Sequence, residues 1–168
     1  LSMIFIVAVL VVYRQIAFIQ TKNTGFNKNN VVSIEMEGRI IDKILQNTQT
    51  YLAGVKNITG IVSASSMDHS SVIGDFGSTS DLVWEGKDPS QNANFGNIGI
   101  NYGLIETMGM QMASGRSFSK QVSSDSAELI VNEAAVAAMG LKKPVGKTIK
   151  MWGVNRKIAG VVRNFHFQ

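Results

Sequence analysis

The first apolar run of the chain is unbroken from Met3 to Val12, and Tyr13 and Arg14 close it. A helix that is apolar on every side demands burial all round, in a protein core or in lipid. An aromatic ring followed by a cation is how a membrane helix leaves the bilayer at the headgroups. Ten residues are too few for a crossing, which takes roughly 20. No cation precedes the run and no small-residue cleavage site follows it, so a secretory leader does not fit. The run reads as the outer half of a transmembrane helix, the other half lying before Leu1, with an ordinary buried helix as the alternative. Ile16, Ala17, Phe18 and Ile19 continue an apolar stripe between Arg14, Gln15, Gln20 and Lys22, and Asn23-Thr24-Gly25 supplies the stop. Residues 1–22 are therefore expected to form the end of a membrane helix and a stalk, a rod of roughly 33 Å at 1.5 Å per residue. Residues 23–168 would be a folded domain mounted on it.

Within that domain, Val31 to Met36 has the β-branched, partly alternating pattern of a strand. Ile41, Ile44, Leu45, Thr48, Leu52 and Val55 then recur at steps of three and four, one face of a helix from about Arg39 to Lys56. Ile61 to Ser65 reads as a second strand, which would complete a strand-helix-strand crossover, right-handed if the two strands run parallel. A serine-rich stretch with Gly74 and Gly77 predicts a long loop from Ser65 to Ser80. Strands follow at Leu82 to Glu85 and Phe95 to Tyr102, with a single helical turn near Leu104 to Met108. Leu129-Ile130-Val131 runs as a strand into a helix with Asn132 as N-cap and Gly140 as stop. A hairpin of Val145 to Met151 and Lys157 to Phe167, turning around Gly153 to Asn155, closes the chain. The expected fold class is α+β, with a mixed sheet built on strand-helix-strand units.

Composition narrows the class. The 45% hydrophobic and 17% charged residues and only two prolines argue against disorder. There is no cysteine, hence neither a disulfide scaffold nor a thiolate metal site. The net charge of +4 is unevenly placed. Residues 1–30 hold Arg14, Lys22 and Lys28 and no acid, and residues 140–168 hold Lys142, Lys143, Lys147, Lys150, Arg156, Lys157 and Arg163 and no acid, while all twelve acids lie between them. Basic ends and an acidic body suit a molecule whose ends meet anionic headgroups, although a scatter of solvated lysines gives the same count. Charge does not fix sidedness, because long domains cross membranes largely regardless of it.

The chemistry-bearing motifs fail on spacing or context. Gly140 to Thr148 spells GLKKPVGKT, with five residues between the glycines where a phosphate-binding loop has four, and a helix stands before it where a strand should. Asp75-Phe76-Gly77 has none of the other kinase signatures around it. His69 and His166 are the only histidines, too few and too far apart in sequence for a zinc site. Asp68 or Asp75 with His69 and a loop serine could compose a hydrolytic triad, but no G-x-S-x-G elbow is present. The basic C-terminal third with Trp152, Phe165 and Phe167 carries no RNA-binding signature. No catalytic, metal or cofactor residue is assigned, and nucleic acid is not an expected partner.

Seven runs, in order along nearly the whole chain, resemble the extracytoplasmic core domain of ABC transporter permeases of the FtsX/LolC/MacB type, in the form found among Bacteroidetes-like permeases. They are VVYRQIAFIQTKNTGFNKNNVVSI from 11, VKNITGIVSASSMDH from 55, VWEGKDP from 83, MGMQMASGRSFS from 108, LIVNEAAVAAMG from 129, PVGKTI from 144 and GVVRNFHF from 160. The resemblance implies a non-enzymatic domain inserted between the first two membrane helices of a permease half, on the periplasmic side of the inner membrane. It implies a porter-like α/β body, a second permease half as dimer partner, room for an envelope adaptor, and ATP handled by a separate cytoplasmic ABC ATPase subunit or domain. Movement of an unknown substrate would be driven mechanically through the stalk. The coupling residues it suggests are Tyr13, Arg14 and Gln15 at the stalk base and Asn164, Phe165 and His166 where the chain returns. The alternative is a ligand-sensing ectodomain of a membrane receptor, which would share the basic stalk.

Overall fold

A computed structural model describes residues 2–21, 25–27, 29–36, 47–69 and 77–165. The chain opens with helix α1 (Ser2–Thr21), about 30 Å long at 1.5 Å per residue. Residues 3 to 12 are exposed throughout, with the large side chains from 48% to 81% accessible, so the apolar run is not part of the body's own core. Among the described residues no helix is long and apolar enough to cross a membrane.

Helix α2 (Thr48–Lys56) is the described part of the amphipathic segment expected from Arg39, and residues 39–46 lie outside the described residues. It buries Leu52. The two strands expected on either side of it are absent: neither 31–36 nor 61–65 forms a strand. β-Branched residues fit a pleated surface only where a partner strand supplies one. The serines of the second segment bond sideways instead. Ser65 Oγ donates to the carbonyls of Asn101 and Tyr102, and Ser63 Oγ meets Thr107 Oγ1 at 2.7 Å. Backbone pairing begins only at Met67, bridged to Ile100.

The sheet lies in the second half of the chain. A small antiparallel pair joins β1 (Ser78–Thr79) to β3 (Phe95–Gly96). The main sheet contains β2 (Leu82–Trp84), β4 (Met112–Gly115), β5 (Glu128–Asn132), β6 (Thr148–Met151) and β7 (Val154–Val162), with β7 as the hub. β5 runs parallel to β7 from Lys157 to Val162. A strand has two edges, so antiparallel β6 and β4 must follow one another along the opposite one, and their registers agree: β6 faces 154–157 and β4 faces 160–162. One parallel pair among antiparallel ones makes the sheet mixed, and the fold is α+β. Helix α3 (Leu104–Thr107) is the single turn expected there.

Local chemistry builds the best-defined unit. Val131 and Asn132 lead from β5 into helix α4 (Glu133–Met139), where Asn132 Oδ1 accepts the Ala135 N–H at 2.9 Å. Gly140, left-handed at φ 66°, ends the helix, and Leu141 N–H reaches back to the Val136 carbonyl. Replacing Asn132 with alanine orphans an N-terminal amide and is expected to cost about 1 kcal/mol, against a few tenths for glycine. Urea unfolding midpoints of the two variants measure the difference. β6 and β7 form a hairpin through Trp152 and Gly153, both at positive φ as a two-residue type I′ turn requires. Trp152 Nε1 donates to Thr79 Oγ1 at 3.2 Å and so ties the hairpin tip to β1.

Two apolar clusters result. The larger gathers Leu82, Trp84, Met139, Ile149, Met151 and Ile158 between the sheet and α4. Trp84 stands edge-on to Phe95 and donates its indole N–H to the Met139 carbonyl, satisfying the end of α4. The smaller is Phe26, Leu104 and Met108, with Val31, Met67, Ile100, Met110 and Phe165 packed against it. Between the two lies a slot of about 820 Å³.

Candidate functional site at the junction of helix and body

Where the incoming chain meets the body, Gly25 has φ 79°, a conformation open to glycine at little cost. Its backbone lies against the outgoing chain: a Cβ built on Gly25 would stand 2.6 Å from the Asn164 carbonyl oxygen and 2.7 Å from Phe165 Cα. The next residue, Phe26, is buried in the smaller cluster, where Phe165 also packs. Asn27 N–H donates to the Met108 carbonyl at 2.7 Å.

The outgoing chain is held just as firmly. Asn164 N–H donates to Glu133 Oε2 at 3.0 Å, and Asn164 Oδ1 accepts the Ala134 N–H at 2.7 Å. Asn164 therefore satisfies one of the free amides at the start of α4, where Asn132 satisfies the next. One residue earlier, Arg163 N–H donates to the Gln111 carbonyl at 2.8 Å. The Gly25 backbone thus lies beside the carbonyl of Asn164, and Asn164 is bonded into α4.

Of the residues singled out in the sequence, Asn164 and Phe165 belong to this junction. Tyr13, Arg14 and Gln15 lie exposed on α1, and no described contact brings them to it. His166 lies outside the described residues. Sequence reasoning missed Gly25, Phe26, Asn27, Met108 and Glu133. The one signal present was the Thr24-Gly25 break, which marks a helix end but not the chain that packs against it.

The hydrolytic candidate resolves differently. His69 Nδ1 is 2.8 Å from Asp68 Oδ1, and His69 Nε2 accepts the Gly77 N–H at 3.3 Å. The nitrogen that a catalytic pair would turn toward a serine is thus engaged with backbone. Asp68 Oδ1 also accepts the Gly99 N–H, so the pair works as a turn lock. Among the described residues no three of His, Cys, Asp and Glu group as metal ligands. Of the basic C-terminal residues, Lys147 pairs with Glu85 at 2.6 Å, and that hydrogen bond and charge hold the exposed Glu85 carboxyl below its ordinary pKa. Lys142, Lys143, Lys150 and Lys157 are exposed.

No family model matches the sequence, and no curated protein matches it. Solved structures do. The periplasmic region of MacB from Actinobacillus actinomycetemcomitans aligns with a TM-score of 0.47 and 20% identity over 71% of this chain and 51% of that one. The extracellular domain of the noncanonic ABC-type transporter YknZ from Gram-positive bacteria aligns with a TM-score of 0.45 and 17% identity over 74% of this chain and 66% of that one. The chain spans less than two thirds of either. Likeness at this level assigns no chemistry to this chain.

Proposed function

We propose that the chain is the outer domain of an ABC transporter permease, without catalysis of its own, that passes motion of a membrane helix into the body above it. The observation that carries this is the junction at Gly25, where the chain leaving the helix and the chain leaving the body are packed backbone to backbone. The exposed apolar length of α1 and the seven family-like runs support the same reading. The domain would stand on the periplasmic side of the inner membrane, paired with a second permease half and open to an envelope adaptor. ATP would be bound by a separate cytoplasmic ABC ATPase, and no cofactor is assigned to this domain. Helix and junction would act as lever and bearing, since a packed element carries a displacement that a loose loop would absorb.

The membrane part of this reading is tested by flotation with lipid vesicles. The chain is expected to float with vesicles containing anionic lipid, because α1 exposes more apolar surface than water tolerates and the C-terminal lysines add roughly 1 kcal/mol each near such a surface. Replacing Lys142, Lys143 and Lys150 with glutamine should reduce flotation with anionic vesicles and leave neutral ones unaffected. A chain that stays in the aqueous fraction with both would oppose the proposal.

A further inference from the structure

The slot between the two clusters has an unusual wall. All five residues of β5, Glu128 to Asn132, line it consecutively. Successive side chains of a strand point to opposite faces, so a consecutive run means that the strand's edge, with its amides and carbonyls, forms the wall. β5 is paired along its other edge with β7 and has no further strand partner among the described residues. The facing wall is the extended chain 94–102, likewise consecutive, whose backbone bonds run away from the slot to Ser66, Asp68 and Gly77. β5 is half-buried along its whole length, so its unpaired edge is available to a further strand. Of the sheet's outer edges, that of β2 is guarded: Lys87 Nζ donates to the Leu82 carbonyl at 2.7 Å. Among the described residues no side chain covers β5 in the same way.

The chain also holds a strand without a sheet. Val31 to Met36 makes no backbone hydrogen bond among the described residues and leaves Val32 83% and Ile34 70% exposed. Its first residue already packs on the smaller cluster, and Met67, Ile100, Leu104, Met110 and Phe165 of that cluster line the slot. Its six residues reach about 20 Å when extended, enough to run the length of β5. The side-chain pattern matches too. Leu129 and Val131 face the larger cluster, and Val32, Ile34 and Met36 alternate in the same way, which puts Val31, Ser33 and Glu35 on the face of Glu128, Ile130 and Asn132.

We propose that Val31–Met36 is a strap that closes the slot by adding to the free edge of β5 as a sixth strand of the main sheet. The open arrangement is then one state of the body and the strapped sheet the other. This does not depend on the membrane reading, since it concerns only the body.

The protein has no cysteine, so paired cysteines report the strap directly. Ile34→Cys would be combined in turn with Leu129→Cys, Val131→Cys and Ile130→Cys in the whole chain and oxidised mildly. One of the first two pairs should form an intramolecular disulfide at least tenfold faster than the pair with Ile130, whose side chain points to the opposite face. Equal rates for all three, no bond in either same-face pair, or bonds only between two copies would overturn the proposal. Hydrogen exchange of the unaltered protein gives a second test: amides within 32–35 should exchange at least tenfold more slowly than in an unstructured peptide, and exchange at the unstructured rate would overturn it.

Discussion

Replacing Arg116 with methionine is expected to destabilise the body by about 3 kcal/mol, the low end of the range for stripping one partner from a buried ion pair. In a domain of this size that lowers Tm by roughly 6 to 12 °C. Arg116 reaches two carboxylates at once, Asp125 Oδ1 through Nη1 and Glu128 Oε2 through Nη2, each at 2.6 Å. The Asp125 side chain is 2% exposed and that of Glu128 14%, whereas Arg116 is 39% exposed, which places the estimate at the low end. The contact to Asp125 Oδ1 is close but does not have hydrogen-bond geometry, so that oxygen relies on the guanidinium's charge alone. The other carboxylate oxygens keep partners, Asp125 Oδ2 from Ser119 N–H and Glu128 Oε1 from Ser124 Oγ. Pairing Arg116→Met with Asp125→Asn should therefore recover more than half of the loss. Thermal unfolding of single and double variants measures this, and a double variant as unstable as the sum of the singles would contradict it.

The second large effect is expected at Gly25. Two left-handed glycines make the comparison internal. A Cβ on Gly140 meets nothing within 4 Å, so Gly140→Ala should cost only the backbone term of about 1 kcal/mol. On Gly25 the same methyl meets backbone atoms of Asn164 and Phe165 that cannot rotate away. Gly25→Ala should therefore cost about 3 kcal/mol, combining left-handed strain with overpacking. Urea midpoints of the two variants test this directly. Equal costs would mean that the junction is loose.

Much of the C-terminal half was legible because its signals are local. A side-chain oxygen at Asn132, an alanine-rich turn and Gly140 specify α4 with no reference to the rest of the chain. The β6–β7 hairpin was legible as well, but its turn falls at Trp152–Gly153, just ahead of the expected position. A bulky residue at positive φ has no sequence signal. β4 was invisible for a different reason: Met112-Ala113-Ser114-Gly115 has no β-branched residue, and it becomes a strand because Gly115 faces Gly160 of β7, allowing two backbones to approach where side chains would collide. The opposite holds at 31–36 and 61–65, where strand propensity is present and the structure shows no strand. A strand is a relation between two segments, and one sequence window contains only one of them. The junction was half legible for the same reason. Asn164 and Phe165 were reached through family likeness, while Gly25 showed only that a helix ends.

In the function proposed above, motion of α1 reaches the body. Pulsed electron spin resonance tests this on the full-length protein in lipid together with the ABC ATPase that the proposal assigns to it, labelled at Ala137→Cys on the exposed side of α4 in both copies of the proposed pair. The distance between the two labels is expected to change when a non-hydrolysable nucleotide is bound, and Ile16→Pro, which kinks α1, should abolish the change without unfolding the body. One distance distribution with and without nucleotide, or a shift that survives Ile16→Pro intact, would mean that the helix does not drive the body.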